Sequence, residues 1–178
     1  HAVKNGKTFV TNAPIIGLQV ANAKPGDSIL LQSSPQALSY KAFLRSNIAV
    51  DSFEIIYNGA VIAKHNLTGD KKNFDASGFI NVSAPGWLLL RAWGTTAGTN
   101  LFDIYPYAST NPIYLYDGKN KLHSKSAAEY FLQWVQRIEN IAANHPSYHN
   151  DEEKKSVMQD IEKAKQFYMQ CLQTANAP

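Results

Sequence analysis

The chain has 178 residues, of which 44% are hydrophobic and 17% charged, a composition typical of a globular protein that buries a core of its own. Its net charge of +3 is small and its lysines and arginines are scattered, which argues against a nucleic-acid partner. No apolar run approaches the ~18 residues of a membrane span. The single cysteine, Cys171, excludes a disulfide within the chain and a thiolate metal cluster. The compartment stays open, with a periplasmic or secreted location slightly favoured.

The first two thirds of the sequence carries short segments with the alternation or β-branched runs of strands. Turn signals separate these segments, and the strongest is Asn58-Gly59, which predicts a two-residue type I′ hairpin. Many short strands without helices between them predict an immunoglobulin-like antiparallel β-sandwich, which we place at residues 1–116. The predicted strands are 8–11, 15–20, 28–32, 38–45, 53–57, 61–65, 79–82, 87–93 and 113–116.

The pattern changes to helical spacing in residues 117–178. Ser126 with Glu129, and Asn150 with Glu153, form capping boxes that predict the starts of two helices. Pro146 predicts that the first helix ends just before it, and the short break favours an antiparallel helical hairpin. The apolar stripe of the first helix is wider than a two-helix seam can hide. We therefore expect the hairpin to pack on the sandwich, with another domain or a second copy of the chain as alternative partners.

The most apolar strand carries the candidate ligand-binding residues. Alternation places Trp87, Arg91 and Trp93 on one face of this strand, and Tyr105 and Tyr107 follow in a loop. One interpretation is a stacking platform for a sugar or an aromatic ligand, in which Arg91 supplies a charge or a cation–π contact. The alternative, which we favour on the sequence, is core packing with Arg91 bound to loop carbonyls, because sandwiches commonly bury a central tryptophan.

Candidate catalytic and metal-ligating residues are few. His145 and His149 have the spacing of a helical metal pair, but Pro146 interrupts the helix that such a pair needs. Cys171 lies on the apolar stripe of the last helix, which indicates an inert thiol. We therefore predict no catalytic residues, no metal site and no cofactor within this chain.

Four stretches resemble one known family. Residues 6–14 (GKTFVTNAP) resemble the "GRTFVTNGP" junction of CehA/McbA-type metallohydrolases in the PHP (polymerase and histidinol phosphatase) superfamily. Residues 87–92 (WLLLRA) are similar to the family's "W-(I/L)-A-(A/L)-R-A" strand, and residues 108–114 (ASTNPIY) are similar to its "AHTSPIYV" strand. The helices that end near Tyr168 look like its C-terminal tail. Ala13 replaces a family glycine and Ser109 replaces a family histidine, so no role of that histidine is carried over.

The resemblance implies that catalysis resides in a domain other than this chain. In that family, an N-terminal domain with His and Asp ligands binds the divalent metal and performs the hydrolysis. We therefore expect this chain to be a non-catalytic accessory C-terminal domain whose partner is the catalytic domain of the same polypeptide, with a homodimer possible. The alternative is a stand-alone carbohydrate- or ligand-binding β-sandwich module.

Overall fold

A computed structural model describes residues 1–97, 104–118 and 124–175. The chain forms two compact units, His1–Lys119 and Asn120–Pro178, divided close to the predicted boundary at residue 116. The first unit contains two β-sheets and the second contains a pair of helices, which confirms the mainly β fold with a C-terminal helical hairpin.

Ten strands are described in the first unit. They are β1 (Phe9–Thr11), β2 (Ile15–Val20), β3 (Ser28–Leu30), β4 (Gln36–Arg45), β5 (Ser52–Tyr57), β6 (Ala60–Asn66), β7 (Asn73–Val82), β8 (Gly86–Trp93), β9 (Tyr107–Thr110) and β10 (Ile113–Tyr116).

The larger sheet is built around β8. This strand pairs antiparallel with β5 along one side, and with β9 and β10 on the other. Beyond these neighbours, β6 pairs with β5, β1 pairs antiparallel with β9, and β3 pairs in parallel with β10. The most apolar strand of the sequence therefore has neighbours on both sides.

The smaller sheet has the order β2-β4-β7. The alternation along β4 is as expected, with Leu38, Tyr40, Ala42 and Leu44 buried and the residues between them exposed. Strand β7 begins at Asn73, six residues before the predicted start at residue 79. Its ten-residue register with β4 also covers residues 73–78, where exposed polar residues alternate with Phe74 and Ala76, which pack against the core.

The inward faces of the two sheets form one hydrophobic core. On β5 the core residues are Phe53 and Ile55, and on β8 they are Leu88, Leu90 and Ala92, all with no exposed surface. Burial of one such large side chain stabilises the fold by roughly 1.5–3 kcal/mol, so these alternate positions hold the two sheets together.

The turn between β5 and β6 also fixes the start of β8. Asn58 and Gly59 have φ values of 49° and 86°, the left-handed pair that a type I′ turn requires, so the predicted hairpin is confirmed. The Asn58 side chain accepts a hydrogen bond from the Trp87 N–H at 2.9 Å and donates one to Pro85 O at 3.2 Å. A Cβ at Gly86 would collide with the Asn58 amide, so only glycine admits this contact.

The second unit consists of α1 (Lys125–Ala143) and α2 (Asp151–Gln173). The first cap differs from the prediction. The residue that caps α1 is Ser124 rather than Ser126, and its side chain accepts a hydrogen bond from Ala127 N–H. At the second cap Asn150 accepts from Glu153 N–H at 2.8 Å as predicted, while the Glu153 carboxylate accepts from His149 N–H.

The helical seam buries few side chains. Val135 and Ala142 of α1 pack with Ile161 of α2, and Lys165 spans the pair to reach Glu139 at 3.1 Å. Neither of these two helices is long and apolar enough to cross a membrane.

Candidate functional site

The side chains of β8 that point away from the core form the centre of the candidate site. Leu88, Leu90 and Ala92 are buried in the core, whereas Trp87 and Trp93 are half-buried on the outer face of the large sheet. The core-packing interpretation of the tryptophans is therefore wrong, because the smaller aliphatic residues between them take the inward positions.

A row of polar side chains crosses this outer face. Strand register places Glu54 of β5 between Lys64 of β6 and Arg91 of β8, and places Ser109 of β9 next to Arg91. The Arg91 guanidinium donates to Glu54 Oε2 from Nη2 at 2.6 Å and from Nε at 3.1 Å. Lys64 Nζ lies 3.3 Å from Glu54 Oε1. Arg91 therefore binds a carboxylate rather than the loop carbonyls that the sequence suggested.

Glu54 is a buried carboxylate, with only 3% of its side chain exposed. Burial, the largest influence, raises its pKa, but hydrogen bonds from Arg91, Trp93 and Lys64 together outweigh it and hold the pKa below the usual glutamate value. The group stays ionised near neutral pH. Two cations against one anion leave the row with one net positive charge.

Aromatic rings lie on either side of the polar row along the direction of β8. Tyr107 lies opposite Trp93 on the neighbouring strand, and Tyr114 lies opposite Trp87. The two tyrosines are 44% and 47% exposed. Lys64 Nζ lies 5.6 Å from the centre of the Trp93 ring, so the cation–π contact comes from this lysine. We call this surface the tryptophan face; it comprises Glu54, Lys64, Trp87, Arg91, Trp93, Tyr107, Ser109 and Tyr114.

Asn12 anchors the segment that carries the two predicted loop tyrosines. Its side chain donates to Tyr105 O and accepts from Tyr107 N–H, each at 2.7 Å, while its own N–H donates to Tyr107 O at 3.1 Å. Pro106, between the tyrosines, is fully buried. Tyr107 belongs to β9, a strand that the residue pattern did not predict but that the family resemblance at residues 108–114 implied, and Tyr105 lies beside it with 60% exposure.

The structure thus brings Trp87, Arg91, Trp93 and Tyr107 together, with Tyr105 adjacent. Sequence reasoning missed Glu54, Lys64 and Tyr114. A signal for Glu54 was present, since a carboxylate inside the apolar run of residues 53–56 needs a cationic partner.

The other candidate groups do not assemble into a site. In the part of the chain that the structure describes, no three His, Cys, Asp or Glu side chains gather as metal ligands. His145 Nδ1 accepts a hydrogen bond from Ser147 N–H at 3.3 Å, and Cys171 is half-buried on α2.

Comparison with models of protein families, with curated proteins and with solved structures finds no significant match. What the tryptophan face can bind is therefore inferred from the contacts within this chain alone. Its rings can pack on a flat apolar surface, and its net positive charge can accept a carboxylate.

Proposed function

We propose that the chain is a non-catalytic accessory C-terminal domain of a metal-dependent, PHP-type hydrolase, and that it docks on the catalytic domain through the tryptophan face. The resemblance in residues 6–14, 87–92 and 108–114 supports the family. The tryptophan face carries the proposal, because two of the four resembling stretches, residues 87–92 and 108–114, contribute residues to it.

The chemistry of the tryptophan face is that of a protein interface. Trp, Tyr and Arg are enriched in interface centres, where burial of large rings provides most of the binding energy. On this face Trp93, Tyr107 and Arg91 are adjacent on two paired strands, and each retains exposed surface. A partner that covered these side chains would remove that apolar area from water.

The non-catalytic role is supported by the state of the acidic group on this face. Glu54 is held ionised by three donors and its oxygens are engaged, so it has neither the raised pKa of a general acid nor free access to a substrate proton. The proposal assigns the divalent metal and the hydrolysis to the catalytic domain. Metal analysis of the tag-free chain tests this part, and a transition metal near one per chain would contradict it.

A second candidate is a carbohydrate- or ligand-binding module. The observation that favours it is the directly opposed pair Trp93–Tyr107 beside Lys64, which could stack on a sugar ring while the ammonium group binds a hydroxyl or a carboxylate. Saturable binding of a free glycan that Trp93→Ala abolishes would favour this module over the accessory domain.

The docking proposal is tested by determining the coding sequence upstream of His1 and producing the encoded segment separately. We expect that segment to contain grouped His and Asp ligands and to bind the 178-residue chain in isothermal titration calorimetry. Trp93→Ala should weaken binding at least about tenfold. Phe79→Ala, which removes a 77% exposed ring from the smaller sheet, is the matched control and should leave affinity unchanged.

Two results would refute docking by this face. One is an upstream segment without such a ligand set. The other is an affinity that Trp93→Ala and Phe79→Ala leave equally unaffected.

A further inference from the structure

The polar row of the tryptophan face is surrounded by apolar side chains. The row runs from Lys64 through Glu54 and Arg91 to Ser109, with one residue from each of four neighbouring strands. Apolar and aromatic residues that face the same side of the sheet lie along both flanks of the row and at its Ser109 end. They are Val10, Ile56, Val61, Leu89, Trp93 and Tyr107.

These surroundings are open to a partner on more than one side of the row. Val10, opposite Ser109 on β1, is 70% exposed, and Val61, opposite Ile56 on β6, is 45% exposed. Tyr107, on the other flank, is 44% exposed. A partner surface that covers the apolar groups on both flanks therefore also covers the charges between them.

The polar row does not neutralise its own charge. Glu54 Oε2 accepts both hydrogen bonds from Arg91, and Oε1 lies 3.3 Å from Lys64 Nζ, so both carboxylate oxygens are engaged by two cations. Among the described residues, Glu54 is the only ion-pair partner of either cation. The Lys64 and Arg91 side chains remain 45% and 33% exposed, so water solvates the excess positive charge in the isolated chain.

Docking on this face would remove that water. An unmatched charge in a closed interface is strongly unfavourable, whereas a charge that meets a counter-ion and keeps its hydrogen bonds is tolerated. Glu54 is already shared between Lys64 and Arg91, so it cannot supply a second negative charge. The counter-ion for the excess charge therefore has to come from the partner.

We propose that the catalytic domain docked on the tryptophan face places one aspartate or glutamate side chain against Lys64 and Arg91. This inference rests on the docking proposed above and specifies the chemistry of the partner surface. Apolar groups of the partner cover Trp93 and Tyr107, and its carboxylate accepts hydrogen bonds from the two cations. An entirely apolar partner would enclose the row with one positive charge in excess.

Neutralising Lys64 distinguishes this arrangement from an entirely apolar interface. With a partner carboxylate in place, Lys64→Met leaves that carboxylate short of a cation, and the affinity for the upstream segment in isothermal titration calorimetry should fall at least about tenfold. Without a partner carboxylate, the same substitution removes a charge that docking has to desolvate, and the affinity should stay the same or rise. Lys41→Met, which removes an exposed lysine from the smaller sheet, is the matched control and should leave the affinity unchanged.

Carbodiimide coupling of the complete encoded polypeptide identifies the partner group directly. The reagent activates a carboxylate, and a lysine amine in contact with it forms an amide while the reagent leaves as a urea. In the isolated chain, Lys64 should couple to Glu54, its neighbour at 3.3 Å. In the complete polypeptide, we expect peptide mass spectrometry to find Lys64 joined to an aspartate or glutamate encoded upstream of His1.

Two results would overturn the inference and leave docking intact. One is Trp93-dependent binding that Lys64→Met does not weaken. The other is a complete polypeptide in which Lys64 couples only to Glu54 although Trp93→Ala weakens docking. Binding that does not depend on Trp93 would refute docking by this face, and the inference with it.

Discussion

Glu54 is a carboxylate at a position where both flanking residues, Phe53 and Ile55, are completely buried. Its replacement by glutamine keeps the shape and removes the charge, so Arg91 and Lys64 lose their counter-ion. We predict that Glu54→Gln lowers the free energy of unfolding by about 1–3 kcal/mol, less than a fully buried pair, because both cations retain contact with water.

A matched control exists on the smaller sheet. The Arg45–Asp75 pair also joins a guanidinium to a carboxylate by two hydrogen bonds, but its side chains are 46% and 69% exposed. Asp75→Asn should therefore change the free energy of unfolding by less than about 1 kcal/mol. Equal losses for Glu54→Gln and Asp75→Asn in urea titrations would show that burial does not distinguish the two pairs.

Asp51 makes the fold sensitive to acid. Hydrogen bonds from the side chain and the backbone of Thr95, together with Lys71, lower the pKa of its carboxyl group to about 2. A depressed pKa stabilises the folded state above the unfolded value of about 3.9, and this contribution disappears as the pH falls towards 2. We predict that Asp51 accounts for up to about 2 kcal/mol of the stability lost between pH 4 and 2.

Urea titrations at several pH values test this contribution. Asp51→Asn should be less stable than the parent at pH 6, and the difference should shrink as the pH is lowered. A difference that stays constant down to pH 2 would contradict the role of the Asp51 charge.

Residues of β8 that are similarly apolar in sequence differ in how deeply they are buried. Leu90 has no exposed surface, whereas Trp87 is half-buried on the outer face. We predict that Leu90→Ala lowers the free energy of unfolding by about 2–5 kcal/mol and that Trp87→Ala, despite removing more atoms, lowers it by about 1–2 kcal/mol. Thermal or urea unfolding of the two variants shows which one loses more stability. A larger loss for Trp87→Ala than for Leu90→Ala would indicate that Trp87 is part of the core.

The strand positions follow from local patterns wherever apolar residues alternate or a turn is specific. The hairpin at Asn58-Gly59 and the alternation of β4 are of this kind. The residue pattern alone does not predict β9, because its Tyr-Ala-Ser-Thr sequence has no aliphatic alternation. The family resemblance at residues 108–114 implied a strand there, and pairing with β8 and β1 forms it. The outward direction of the tryptophans was missed for a similar reason. All residues of β8 except Arg91 are uncharged, so their sequence does not show which face of the strand points to the core.

At the scale of the whole chain, the helical unit has more apolar surface than its own seam covers. Tyr130, Trp134 and Ile141 of α1 remain 59%, 50% and 62% exposed. The packing of this hairpin on the sandwich stays a prediction. If it packs there, deletion of residues 117–178 should lower the melting temperature of the sandwich or cause it to aggregate, because the apolar area that the hairpin covers on the sandwich becomes exposed.

Calorimetry and sedimentation velocity of the truncated chain check this prediction. A truncated sandwich that stays monomeric with an unchanged melting temperature would assign the hairpin to another partner. Concentration-dependent dimerisation of the parent chain, lost on deletion, would identify that partner as a second copy.

Docking through the tryptophan face is tested most directly by hydroxyl-radical footprinting of the complete encoded polypeptide beside the 178-residue chain. We predict that Trp93 and Tyr107 oxidise several-fold more slowly in the complete polypeptide, while Phe79, on the other sheet, oxidises at the same rate in both. Equal oxidation rates for Trp93 and Tyr107 in the two samples would contradict a catalytic domain seated on this face.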